Sequence, residues 1–107
     1  MPLPANPALT VVIVVFAAGE AIRTTWDAVV ADTSYPHQTI LLHNGSPHVD
    51  PADLRAFPGA TVWETGTNLG YAGAINYALE KCDSDLVGIW NDDAAPRPGA
   101  FRAMVDA

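Results

Sequence analysis

Val11-Val12-Ile13-Val14-Val15-Phe16 is a run of branched and aromatic residues with no polar residue alternating into it. A strand with one wet face would show that alternation. This run therefore reads as a strand buried on both faces, as in a parallel sheet covered by helices. On its C-terminal side Ala17-Ala18-Gly19 turns the chain. Ile22, Trp26, Val29 and Val30 then recur at helical spacing, with Glu20 early in the first turn, where the helix dipole favours an acid. Tyr35-Pro36 breaks that helix.

Further along, Thr39-Ile40-Leu41-Leu42 is a second short strand that runs into His43-Asn44-Gly45-Ser46, a turn-type cluster. Asp50 to Leu54 begins a short helix that ends before Pro58-Gly59. Thr61-Val62-Trp63-Glu64 is a third strand, followed by a polar, glycine-bearing loop from Thr65 to Gly70. Tyr71, Ile75, Ala78, Leu79 and Cys82 line one face of a helix, Leu86 to Trp90 is a fourth strand, and Gly99 to Ala107 is helix-like. Strands alternating with helices imply a parallel sheet with right-handed crossovers. The expected fold is α/β, a Rossmann-like three-layer α/β/α domain with a mainly parallel sheet of about four strands. In such a sheet the ends near Phe16-Ala17, His43-Asn44-Gly45-Ser46 and Asn91-Asp92-Asp93 share one edge, where ligands bind.

With 107 residues the chain is one domain at most, and with half of its residues hydrophobic it is not disordered. A net charge of −7 with five scattered basic residues argues against a nucleic-acid surface. A phosphate-bearing ligand would need a cation beside it to outweigh that acidity. Cys82 is the single cysteine, so it forms no intramolecular disulfide; it reads as a core thiol in a reducing compartment. The longest apolar run, Val11 to Ala18, is too short to span a membrane, and no basic segment precedes it. Trp26 and Trp63 read as packing residues. His37 and His48 read as surface loop residues, and the three histidines lack metal-ligand spacing.

Two stretches carry candidate chemistry. Ile89-Trp90-Asn91-Asp92-Asp93-Ala94 is an apolar run ending in adjacent carboxylates, which are hard oxygen ligands suited to Mg²⁺ or Mn²⁺. The same residues would equally open a solvated turn before Pro96 and Pro98. Thr67-Asn68-Leu69-Gly70-Tyr71-Ala72-Gly73-Ala74-Ile75-Asn76 is a loop feeding a helix packed with small residues. Gly70, Ala72, Gly73 and Ala74 let a backbone or a ligand come close, and a helix N-terminus there favours an anion. A tight helix-on-sheet contact is the alternative, and Asn76 could bond a neighbouring loop as readily as a ligand. Neither stretch is a Walker A loop or a dinucleotide fingerprint.

Taken in order, these pieces resemble the N-terminal half of family 2 glycosyltransferases with the GT-A fold, nearest to rhamnosyltransferase-like members. Val11 to Phe16 resembles the opening strand, and Leu42-His43-Asn44-Gly45-Ser46 the second-strand motif, usually Val-Asp-Asn-Gly-Ser. Asn68 to Asn76 matches the Asn-x-Gly-aromatic-Ala-Gly-x-x-Asn stretch, and Asn91-Asp92-Asp93 stands where the metal-binding DxD-type motif belongs. The resemblance implies a single partial nucleotide-sugar-binding domain over residues 1–107. Phe16 and Ala17 would flank the base and His43 would meet the base or ribose. Asn44, Asn68, Gly70, Asn76 and Asn91 would line the donor site. Asp92 would lie near the ribose or donor sugar and the metal, and Asp93 would coordinate the Mg²⁺ or Mn²⁺ that bridges the diphosphate. The implied donor is a UDP- or dTDP-sugar, transferred with inversion to a sugar or lipid-linked acceptor in cell-envelope synthesis. The implied location is cytoplasmic, reaching the inner face of the membrane in the complete enzyme.

Three departures accompany the match. His43 replaces an aspartate, and an imidazole cannot reproduce a carboxylate that accepts from a pyrimidine N–H and a ribose hydroxyl together. Ala17 stands where asparagine is common. The acceptor half and its catalytic base are expected outside these residues, which leaves the catalytic residue unassigned and a sheet edge open to self-association. A non-catalytic nucleotide-binding module is the first alternative. A sugar-nucleotide nucleotidyltransferase is the second, disfavoured because Ala17-Ala18-Gly19-Glu20 is not a basic glycine-rich loop.

Overall fold

The computed structural model describes residues 3–16 and 21–107. Strands β1 (Leu9–Val15), β2 (Gln38–His43), β3 (Thr61–Glu64) and β4 (Leu86–Asn91) alternate with helices α1 (Ala21–Ala31), α2 (Pro51–Arg55), α3 (Gly70–Lys81) and α4 (Ala100–Asp106). The sheet order is β3-β2-β1-β4, and all three pairings are parallel. The expected α/β/α architecture is therefore the observed one. β1 begins two residues earlier than the apolar run and stops before Phe16. β2 extends to His43, because Val15 and His43 are still in register. Ala17 and Glu20 lie outside the described residues.

Every residue of β1 is buried, and alternate side chains enter different layers. Leu9, Val11, Ile13 and Val15 meet Ile22, Trp26, Val29, Leu54 and Phe101 on one face. Val12 and Val14 meet Ile40, Leu42, Ala74 and Ala78 on the other. Strand order explains why α3 stands alone there. β1, β2 and β3 progress in one direction, whereas the step from β3 to β4 reverses it. A right-handed crossover must then place its helix on the opposite face. The reversal creates a topological switch point between β1 and β4, at the carboxyl ends of the strands.

Several helix faces differ from those the spacing suggests. On α1, Val30 is half exposed and Thr25 is buried in its place, because Thr25 lies one turn from Ile22 and faces the end of β4. On α3 the face against the sheet is Ala74 and Ala78, while Tyr71 and Leu79 are exposed. Ala74 and Ala78 are the α3 residues buried in the cluster with Val12, Val14, Ile40 and Leu42. α1 ends at Ala31, before Tyr35-Pro36, and Tyr35 itself is core, its hydroxyl donating to the Pro7 carbonyl at 2.6 Å. His37 is likewise no free surface residue. Its ring nitrogens lie 2.8 and 3.0 Å from the Tyr35 and Val29 carbonyls, and the ring meets Phe101 edge-on. Trp26 is buried, Trp63 is half-buried beneath Lys81, and Cys82 is half-buried at the end of α3. Burial, and then the neighbouring Asp83 charge, pushes the Cys82 thiol up.

Candidate functional site

The switch point gathers the ends of β1 and β4. Asp92, the first residue past β4, is buried, and its Oδ2 accepts from the Phe16 N–H at 2.7 Å. Its carbonyl oxygen accepts from the buried Thr25 hydroxyl at 2.9 Å. One residue thus fastens the end of β4 to the end of β1 and to α1. A carboxylate suits this place because Phe16 lies beyond the last paired residue of β1, so its N–H has no strand partner. Asn91 and Asp93 on either side are exposed. The two adjacent acids accordingly differ in role. Asp92 positions the backbone, and Asp93 beside it is exposed. The two acids do lie in a turn, in which the Ala94 N–H donates to the Asn91 carbonyl at 3.4 Å.

A second clamp joins the loops after β2 and β3. Asn44 is fully buried. Its Oδ1 accepts from the Leu69 N–H at 3.2 Å and the Thr65 hydroxyl at 3.3 Å, and its Nδ2 donates to the Gly70 carbonyl at 3.2 Å. Gly45 follows with φ +67°, and a Cβ there would stand 2.3 Å from the Thr67 carbonyl carbon. Only glycine lets the two loops touch. Asn68 Oδ1 accepts from the Gly70 N–H at 2.8 Å, which satisfies one of the free donors that open α3. The tight contact at Gly73 is with the residue that precedes α3, not with the sheet. A Cβ on Gly73 would meet the Leu69 side chain at 2.8 Å, so the glycine makes room for Leu69. Asn76 is exposed on α3, about 9 Å along the axis from Gly70.

His43 is buried, and its Nε2 lies 2.6 Å from the Val49 carbonyl. A carbonyl only accepts, so that nitrogen carries the proton. The ring ties β2 to the segment before α2.

The structure thus brings Phe16, Asp92 and Asp93 together at the β1/β4 switch point. Asn44, Asn68 and Gly70 frame the neighbouring α3 entrance. Sequence reasoning missed Thr25, Thr65 and Tyr71. The phenyl ring of Phe16 and the phenol of Tyr71 stack across these two groups, 6.3 Å between centroids and 24° from parallel. The clue available for Tyr71 was an aromatic in the first turn of a helix that starts at the ligand edge.

Among the described residues no three acids, histidines or cysteines converge as a metal cage. An exposed hard oxygen donor such as Asp93 nevertheless fits a divalent ion carried in with phosphate oxygens, which commonly relies on one or two protein carboxylates.

The sequence model described as Glycosyl transferase family 2 matches residues 10–107. Among curated proteins, the chain is 29% identical over 111 residues to the N-acetylglucosaminyl-diphospho-decaprenol L-rhamnosyltransferase of Mycobacterium tuberculosis strain CDC 1551 / Oshkosh. The same likeness holds for the protein of strain ATCC 25618 / H37Rv. Each match covers 92% of this chain and 36% of the relative, so the chain spans little more than a third of their length.

Proposed function

The chain belongs to glycosyl transferase family 2, and we propose that it forms the part of a glycosyltransferase that binds the nucleotide-sugar donor. The observation that carries this reading is the arrangement of the strand ends at the switch point. There a buried Asp92 locks the ends of β1 and β4 together and an exposed Asp93 stands beside it. We assign the donor as a UDP- or dTDP-sugar, with Phe16 beside the base and Asp93 at the diphosphate. Mg²⁺ or Mn²⁺ held there by Asp93 would supply Lewis-acid stabilisation for the charge that develops on the nucleoside diphosphate leaving group. The residues of this chain do the rest of the binding work. Asp92 holds the Phe16 backbone in place, and Asn44 with Asn68 holds the entrance to α3. Transfer would proceed with inversion in one displacement, using a base outside residues 1–107. A lipid-linked sugar is the acceptor we favour, because the curated relatives are named for a decaprenol-linked one. That acceptor would place the reaction at the inner face of the membrane. Among the described residues no helix is long and apolar enough to cross a membrane.

The test is calorimetric titration of UDP and dTDP into the protein, with and without Mn²⁺, beside Asp93→Ala. Binding should require the metal and weaken by at least about tenfold in the variant, the usual loss when a charged hydrogen-bonding or ligating group is removed. A folded wild-type protein that binds neither nucleotide overturns the proposal. The second reading, a nucleotide-binding module that performs no transfer, draws on the buried His43 where the family usually carries aspartate.

A further inference from the structure

Thr25 is the one polar residue among the four that α1 buries, the others being Ile22, Trp26 and Val29. A hydroxyl in an apolar layer is costly unless it is hydrogen-bonded, and valine has nearly the same shape without that cost. A helical threonine can satisfy itself on the carbonyl four residues back, here that of Ala21. Thr25 instead donates to the Asp92 carbonyl at 2.9 Å, 67 residues away. That carbonyl belongs to the peptide group joining Asp92 to Asp93. A peptide group is planar, so holding its oxygen fixes the direction in which the chain enters Asp93. The peptide group on the far side of Asp93 is held as well, by the Ala94 N–H donating to the Asn91 carbonyl at 3.4 Å. The Trp90 indole N–H donates in turn to the Ala94 carbonyl. Asp93 is thus an exposed acid between two fastened peptide groups, and the fastening that comes from the helical layer is Thr25.

We propose that Thr25 is a positioning residue for the diphosphate end of the donor. Its hydroxyl holds the Asp92–Asp93 peptide group, and so keeps the Asp93 carboxylate in one place for the divalent cation that accompanies the diphosphate. The inference rests on the donor-binding reading above and deepens it by naming a residue that touches neither nucleotide nor metal yet sets the affinity for both. Without the hydroxyl the carboxylate remains, but its backbone is free to turn and each binding event must restrict it again. The effect on affinity is bounded by what one neutral hydrogen bond contributes.

The experiment is calorimetric titration of UDP with saturating Mn²⁺ into wild type, Thr25→Val, Thr25→Ser, Asp93→Ala and the double variant Thr25→Val/Asp93→Ala, all below their melting temperatures. Thr25→Val should weaken UDP binding by roughly twofold to tenfold, the span that one neutral hydrogen bond is worth. Thr25→Ser, which keeps the hydroxyl, should bind as wild type does. The double variant should bind no more weakly than Asp93→Ala alone, because a residue that acts through Asp93 has nothing left to position. A purely structural threonine would lower the melting temperature and leave the affinity of the folded protein untouched. Three results overturn the inference while the donor site stands: unchanged UDP affinity in Thr25→Val, a loss in Thr25→Ser as large as in Thr25→Val, or losses that add in the double variant. Failure of the wild type to bind UDP at all overturns both readings. Should Thr25→Val not fold, Thr25→Ala, which also lacks the hydroxyl and is smaller than the native residue, takes its place and is read in the same way.

Discussion

His43 shows how a motif residue can be visible in sequence while its task is not. The Leu42-His43-Asn44-Gly45-Ser46 stretch marks the end of β2 and its relation to the family. What the spacing could not convey is that His43 donates to Val49, six residues on, and that Asn44 and Gly45 are spent on the loop from Thr65 to Gly70. Those partners come from a different part of the chain, and only the folded sheet brings them close. The imidazole at position 43 is thus a structural donor, and a carboxylate there would face the Val49 carbonyl as a second acceptor. His43→Asp should therefore cost about 1–3 kcal/mol of stability, the penalty for losing a buried hydrogen bond and leaving its acceptor unpaired. If position 43 also meets the base or ribose, the same change should raise UDP affinity by about tenfold, since the carboxylate accepts from both. Thermal melting and titration of one variant read the two effects separately. A stability loss with UDP affinity unchanged would remove position 43 from the nucleotide site.

Among the elements, the strands were legible and the contact that seats α4 was not. A strand buried on both faces shows in the apolar run itself, and β3 spans the four residues that its pattern suggested. The helix faces were less legible, because an exposed Leu79 or Val30 looks apolar whatever it touches. α4 depends on a residue of α1's trailing loop. Asp32, almost wholly buried, accepts from the Ser34 N–H at 2.9 Å, the Phe101 N–H at 3.2 Å and the Gly99 N–H at 3.4 Å. It so caps α4 from 69 residues away, a distance at which no local capping signal exists. Burial pushes the Asp32 carboxyl up, but the hydrogen bonds from Ser34, Phe101 and Gly99 outweigh it and bring the value down to about 2. The unfolded chain has an ordinary aspartate near 3.9. A depressed folded value means stability that is full above about pH 4 and lost as pH falls toward 2. The expected loss in that window is about 1–2 kcal/mol beyond the loss in Asp32→Asn, whose amide does not titrate. Urea unfolding of both proteins at pH 6 and pH 2.5 measures it. Equal pH dependence in the two would deny Asp32 this role.

Over the molecule as a whole, the sheet order and the charge together decide what the switch point can accept. That strands and helices alternate could be read from the chain; that β4 lies beside β1, reversing the order, could not, since either flank of the sheet would satisfy the pattern. The switch point then sits in a chain of net charge −7, and three of the five basic residues are tied to acids. Arg23 pairs with Asp27 at 3.4 Å, Arg102 with Asp106 at 3.2 Å, and Arg55 with Glu64. Lys81 lies over the rings of Trp63 and Tyr77, and Arg97 follows Asp93 in the segment leading to α4. Such a field repels a nucleoside diphosphate and attracts a divalent cation. The two effects carry opposite salt dependence. Screening lengths fall from roughly 30 Å at 0.01 M to about 8 Å at 0.15 M. Without a divalent ion, whatever weak residual UDP affinity can be measured should therefore rise modestly with added NaCl. With Mn²⁺ at a fixed subsaturating concentration it should fall, because screening weakens the hold of the acids on the cation. Titrations at 0.02 and 0.2 M NaCl, with Mn²⁺ or with chelator, give both slopes. If the metal-free affinity instead falls steeply with salt, a basic phosphate contact dominates. Arg97 rather than Asp93 would then be the residue on which the diphosphate depends.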